Sequence, residues 1–370
     1  MTHSSISGSR RSRSSVVQAV LFLTVISVPL ALNVAGGDGG DSQTENRELA
    51  SLHDGMFAWF ADHFGLRAAL VKTNAHLEYF AFHTSPSPSV IRGSEGWLYY
   101  GESDAIDDYI GRHPLTEHEV DAWRETVERS RDWLRARGGA YVFTVAPDKH
   151  VVYPEHMPGS LQPVRSSRRM DQVLDAVAGS GVAVDVRPAI AEAKSHERVY
   201  HLTDSHWNPR GALAAYQPIV AALRAQKPEV PPAWTRSDFE AVEHEIGGLD
   251  LARMMGLNHA LHEMNLTLVP KRRRLATVVD PRGAPITAEL GRIVTEIPGS
   301  HLPRAVVFRD SFTTALAPFL AEHFSRAVFL WQKDFVPEQV IEEGADVVIY
   351  EIAGRNLYDF VASPSLIPAH

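Results

Sequence analysis

The feature that most constrains this chain is the run Tyr141-Val142-Phe143-Thr144-Val145-Ala146, closed by Pro147. A strand apolar at nearly every position has no face to give to water. It must be covered on both sides, as strands in the middle of a parallel sheet are. A helix predicted over Arg168 to Ala178 and a second strand over Val182 to Val186 follow, which makes a βαβ unit. The pattern returns near the end of the chain. Ala305 to Phe308 reads as a strand, Phe312 to Phe324 as a helix and Ala327 to Leu330 as a strand. Pro337 to Glu343 is then a helix and Ala345 to Glu351 a strand. The expected class is α/β, a parallel sheet flanked by helices.

Punctuation elsewhere agrees with this reading. Val90 to Tyr100 predicts a hairpin turning at Gly93 to Gly96. Thr116 with Glu119 is a capping box opening a helix that Gly138-Gly139 ends. Residues 45 to 80 have helical spacing with an aromatic face, expected to pack on the main domain. About 227 to 303 reads as a β-rich insertion that separates the two halves of the sheet.

The N-terminus is different. Arg10, Arg11 and Arg13 precede an apolar run from Val16 to Ala35, interrupted by Gln18, Thr24, Ser27 and Pro29. Its length is that of a bilayer core, about 20 residues. Arginines ahead of such a run keep the N-terminus cytoplasmic and send the rest across. We expect residues 1–37 to be a tail and signal anchor, with a cleaved signal peptide as the alternative. A linker over 38–44 and one catalytic domain over 45–370 would follow. That places the domain in the periplasm, held at the inner membrane by the N-terminal helix. The 370 residues carry a net charge of −9, so nothing marks the chain for nucleic acid. There is no cysteine, which excludes disulfides, thiol catalysis and thiolate metal sites.

Two places hold candidate chemistry. Arg309-Asp310-Ser311 stands between a strand and a helix, where open α/β sheets put their ligands. Ser311 is there either a nucleophile beside unpaired helix N–H groups or a plain helix cap. About a hundred residues earlier lies His201-Leu202-Thr203-Asp204-Ser205-His206-Trp207-Asn208, just ahead of a helix over Ala212 to Leu223. Four readings compete for it. His206 and Asp204 can serve a serine nucleophile as base and orienting acid. His201, Asp204 and His206 can offer a metal the ligand types of a zinc or iron site, but further ligands with suitable spacing are missing. Asp204 or Ser205 can simply cap backbone N–H groups, and Trp207 can be a sugar platform. No cofactor or metal is assigned.

Several separated blocks resemble one family, the AlgJ/AlgX-type alginate O-acetyltransferases, whose catalytic domain is a permuted SGNH-hydrolase-like fold. The blocks are Glu45-Asn46-Arg47; Phe64 to Arg67; Val90 to Tyr99; Pro147-Asp148-Lys149 with Tyr153-Pro154-Glu155; Thr203 to Asn208; Asp310-Ser311-Phe312; and Glu351 with Arg355. The resemblance implies Ser311 as nucleophile, His206 as base and Asp204 as its partner. It departs from many SGNH proteins at Arg309, which stands where a glycine usually precedes Asp-Ser. No further carbohydrate-binding module is recognised after residue 360, so the chain is closer to the membrane-anchored AlgJ branch. Lys149, Trp207, Arg309 and Arg355 are the expected substrate-binding residues, and Glu351 with Arg355 an expected ion pair. The basic run Lys271 to Arg274 is either a solvated face or a contact for uronate carboxylates.

The function this implies is acetyl transfer to hydroxyls of an exported, alginate-like exopolysaccharide. The acetyl group would be relayed by a membrane O-acyltransferase partner. An acetyl esterase with the same triad and a non-catalytic glycan-binding scaffold subunit are the alternatives.

Overall fold

The computed structural model describes residues 13–34, 49–63, 65–165, 167–279, 286, 291–358 and 367. The expected linker over 38–44, the block Glu45-Asn46-Arg47, Phe64 and most of the chain after 358 lie outside the described residues. Two compact units form. One comprises Met1–Ser87 with Arg253–Asn258, and the other Pro88–Ala252 with His259–His370.

In the first unit Val16 to Val34 of the N-terminal apolar run lie within the helix Arg13–Val34. Among the described residues no helix is long and apolar enough to cross a membrane. The expected anchor is not shown. Helices Met56–His63 and Arg67–His76 follow. On them Phe57 and Leu70 are exposed, and Tyr79 just beyond them is buried.

The second unit carries the sheet. β1 (Val90–Arg92) and β2 (Leu98–Tyr100) form the expected antiparallel hairpin. Its turn takes Glu95 and Gly96 to positive φ, 53° and 81°. The helix Glu117–Arg135 starts at Thr116, whose hydroxyl accepts from Glu119 N while the Glu119 carboxylate accepts from Thr116 N. The main sheet uses β3 (Ala140–Ala146), β4 (Ala183–Val184), β7 (Thr277–Val278), β8 (Arg292–Glu296), β9 (Arg304–Arg309), β10 (Arg326–Trp331) and β11 (Val347–Ala353). Their order is β4-β3-β11-β9-β10-β8-β7.

The five strands from β4 to β10 are parallel, as the sequence predicts. The sheet as a whole is mixed, because β8 runs antiparallel to β10 and β7 pairs antiparallel with β8. Both added strands come from the insertion, which therefore extends the sheet. The rest of the insertion includes an antiparallel ribbon, β5 (Phe239–Gly247) with β6 (His262–Pro270).

Alternation along β9 and β11 explains their apolar runs. Ala305, Val307, Val347 and Ile349 enter one core, and Val306, Phe308, Val348 and Tyr350 enter the other. Register then aligns the strand ends, Ala353 opposite Ala146 and Tyr350 opposite Phe308. The chain leaving β3, β9 and β11 therefore emerges at one edge, bringing Asp148-Lys149, Asp310-Ser311 and Gly354-Arg355 together there.

Candidate active site

Ser311 follows β9 and precedes the helix Thr313–Leu320. Its side chain caps nothing. The carboxylate of Asp310 holds the turn, its Oδ1 accepting the N–H of Phe312 at 3.0 Å. The other oxygen of Asp310 accepts from Ala353 N at 2.7 Å and from the Asn356 amide at 2.8 Å, so the turn is pinned to the end of β11.

The Ser311 Oγ is left for His206, whose Nε2 lies 2.7 Å away. On the other side of the ring, Nδ1 is 2.6 Å from Asp204 Oδ1, which also accepts the His206 backbone N–H at 3.0 Å. The ring stands edge-on to Phe312, centroids 4.8 Å apart. Burial works to raise the Asp204 carboxyl, but the hydrogen bonds and charge of His206 outweigh it and hold it well below the usual carboxylate range. An ionised Asp204 makes Nδ1 the proton carrier and leaves Nε2 free to accept the Ser311 proton. Nucleophile, base and orienting acid are thus in hydrogen-bond sequence, the arrangement that acyl transfer uses.

The loop holding Asp204 is itself held. Lys149 is buried, 2% exposed, and its Nζ donates to the carbonyls of His201, Leu202 and Asp204 at 2.8, 2.9 and 2.6 Å. Burial pulls this ammonium down to about 7, against the raising charges of Asp204 and Glu263. Lys149 therefore braces the loop and does not reach the cleft where substrate would lie. The helix Pro209–Gln226 is capped by Asn208, whose side chain accepts from Arg210 N and Gly211 N. The helix cap is thus Asn208, while Asp204 holds the backbone N–H of His206.

The other expected substrate contacts are placed differently too. Arg309 is 2% exposed and folded back. It donates to Thr314 Oγ1 at 3.1 Å and to Asp310 O at 3.3 Å, with its guanidinium 4.6 Å from the Trp331 ring centre. A glycine is not required there, because Arg309 lies on the strand and outside the positive-φ region. Arg355 pairs with Asp148 at 3.2 Å, not with Glu351. Glu351 turns to the elbow instead and accepts from Thr313 Oγ1 at 2.7 Å. Trp207 is buried, its indole N–H given to Phe312 O at 3.0 Å, so the ring packs at the cleft wall and is no open platform.

Ser311 and His206 open into a cleft of about 350 Å³ that Asp204, His201, Thr267, Leu268 and Arg274 also line. Arg274, the last residue of the basic run, is its only lysine or arginine among the described residues. Among the described residues no group of three or more His, Asp or Glu could hold a metal ion. Of the two readings of the basic run Lys271 to Arg274, Arg274 takes the one that faces the cleft. Sequence reading missed Glu263: no local motif surrounds it, and only the folding of β6 against the 201–206 loop brings it there.

A family model described as "SGNH hydrolase-like domain, acetyltransferase AlgX" matches residues 90–289, which include Asp204 and His206 and stop short of Ser311. The chain is similar to a probable alginate O-acetylase AlgJ of Pseudomonas aeruginosa, 32% identical over 152 residues, 40% of this chain and 37% of that protein. A protein of the same description from Pseudomonas syringae pv. tomato is 30% identical over 172 residues, 46% of this chain and 42% of the relative. The chain thus spans about two fifths of the length of these curated relatives. Among solved structures it resembles Bacillus cereus PatB1 with a sulfonyl adduct, at TM-score 0.53 and 16% identity over 72% of this chain and 94% of that one. A DHHW family protein from Eubacterium siraeum matches at TM-score 0.50 and 16% identity, over 74% and 93%. These two likenesses show the fold alone.

Proposed function

The chain belongs to the SGNH hydrolase-like, AlgX-type acetyltransferase family, and from that premise we propose that it is a serine-dependent O-acetyltransferase acting on an exported, alginate-like polysaccharide. The observation that carries this is His206 standing between Ser311 Oγ, at 2.7 Å, and Asp204, at 2.6 Å. The similar proteins named alginate O-acetylases supply the acceptor class.

In the first half-reaction Ser311 Oγ attacks the carbonyl of a donor acetyl group while its proton passes to His206 Nε2. The tetrahedral adduct collapses and expels the donor's alcohol or thiol, which takes that proton. An acetyl-serine remains. In the second half a sugar hydroxyl gives its proton to His206 Nε2 and attacks the acetyl carbonyl. Ser311 leaves and recovers the proton. Asp204 stays ionised throughout and offsets the charge on the imidazolium. Arg274 places a permanent positive charge at the cleft, which suits a uronate acceptor.

The location proposed is the periplasm, on the strength of the arginines ahead of the N-terminal apolar run. An exported enzyme is cut off from cytoplasmic acetyl donors, so a membrane acyltransferase that relays acetyl groups is the proposed partner. Fractionation of cells carrying the tagged chain tests the location.

The chemistry is tested with a chromogenic acetyl ester and an unacetylated oligouronate. Wild-type protein should release the chromophore and add an acetyl group to the sugar, read by mass, while Ser311→Ala does neither. Activity surviving in Ser311→Ala ends the reading. Acetate release with no sugar product would instead favour the esterase.

A further inference from the structure

His201 lines the same cleft as Ser311 and has no part in the triad. Its Nδ1 lies 3.0 Å from Glu263 Oε1. Glu263 is a buried carboxylate on β6. Its neighbours His262 and Met264 are exposed, yet the Glu263 side chain is fully buried. Its other oxygen, Oε2, accepts both the backbone N–H and the hydroxyl of Thr203, each at 2.7 Å, and Arg198 approaches Oε1 at 3.4 Å. A carboxylate with this many donors is ionised, as its lowered pKa also says: burial opposes the shift, and the bonds from His201 and Thr203 prevail.

The tautomer follows. An ionised carboxylate only accepts, so His201 carries its proton on Nδ1. In the neutral ring Nε2 is then a bare acceptor, on the edge away from Glu263. Tying the ribbon to the loop does not need this ring, because Thr203 already makes that tie with two bonds. The site thus has two imidazoles, each oriented by its own carboxylate. One points at Ser311. The other offers an acceptor to whatever occupies the cleft, and an acceptor nitrogen recognises a hydroxyl rather than an anion or a carbonyl.

We propose that His201, held by Glu263, is an acceptor-binding residue: its Nε2 takes a hydrogen bond from a sugar hydroxyl next to the one being acetylated. This rests on the acetyltransferase reading above. It gives the β6 ribbon a direct share in acceptor choice, through Glu263 behind the ring and Thr267 and Leu268 on the cleft wall. It also separates the two half-reactions. Acetyl-serine formation involves no sugar, so His201 acts only in the second.

The test uses the full-length protein and measures the two halves separately. The chromophore burst from an acetyl ester without acceptor reports acetyl-serine formation. Acetyl transfer to an unacetylated oligouronate reports the second half. In His201→Ala, transfer kcat/KM is expected to fall ten- to a hundredfold further than the burst rate, mainly through KM, with more acetyl lost to water. His201→Gln, which restores an acceptor, should recover part of it. Equal losses in burst and transfer would show a purely structural role and overturn the proposal, as would undiminished transfer or no recovery in the Gln variant. A failure of the triad reading shows separately, as activity that survives Ser311→Ala.

Discussion

Trp207 donates its indole N–H to the carbonyl of Phe312 at 3.0 Å, which ties together the residues that follow His206 and Ser311. The two rings also meet edge to face, centroids 5.0 Å apart. The base and the nucleophile are 105 residues apart in the chain, so this contact sets their separation in space. Trp207→Phe keeps most of the packing and loses the hydrogen bond, leaving the buried Phe312 carbonyl without that donor. It is expected to cost about 1–3 kcal/mol in stability. It should also lower kcat more than it changes KM for the acetyl ester, measured by denaturant melts and steady-state kinetics.

Lys149 holds the Asp204 loop by three carbonyls at once. Lys149→Met removes all three bonds while roughly keeping the volume. We expect a loss of about 2–4 kcal/mol and a fall in kcat of about tenfold or more. Lys149→Arg should not restore activity, because a planar fork cannot converge on three carbonyls grouped around one ammonium. Wild-type activity in Lys149→Met would remove the brace from this account.

Glu351 supplies a pH prediction. Burial and then the charge of Asp310 raise its carboxyl well above the ordinary range. Folded, it is a neutral acid; unfolded, it ionises near pH 4.3, a typical value. The stability it contributes is therefore complete below about pH 4.3 and lost as pH climbs toward its raised folded value. Glu351→Gln keeps the shape and cannot ionise. Relative to wild type, the variant should gain stability between pH 5 and 8 and show no such gain near pH 4, checked by urea melts across that range.

Arg274 tests the nature of the acceptor. Its guanidinium lies 5.6 Å from the Phe319 ring centre, and both residues line the cleft. Arg274→Gln should raise KM for an oligouronate about tenfold or more while changing KM for a neutral oligosaccharide little. Equal effects on both would detach this residue from carboxylate recognition.

The fold class was legible because burial on two faces leaves a one-dimensional trace. A run such as Tyr141 to Ala146 is apolar at nearly every step, and only a covered strand tolerates that. Capping was legible for the same local reason, since Thr116 and Glu119 act within one turn of helix. The candidates Ser311, His206 and Asp204 could be named because their residue types stand at a strand end and ahead of a helix. Their assembly could not be read that way. The 2.7 Å between Ser311 and His206 exists because β3, β11 and β9 lie side by side in register, with Lys149 and Trp207 fixing the loop between them.

What only the tertiary structure decided is the work of the charged residues around the site. Lys149, Arg309 and Arg355 read as surface cations facing a substrate, yet each is turned inward onto carbonyls, a hydroxyl or Asp148. Glu263 carried no signal in the sequence, yet it is buried against His201. The reason is physical. Apolar burial depends on periodicity along the chain, which the sequence displays directly. The partner of a charge depends on distances through space, and those exist only once the sheet has closed.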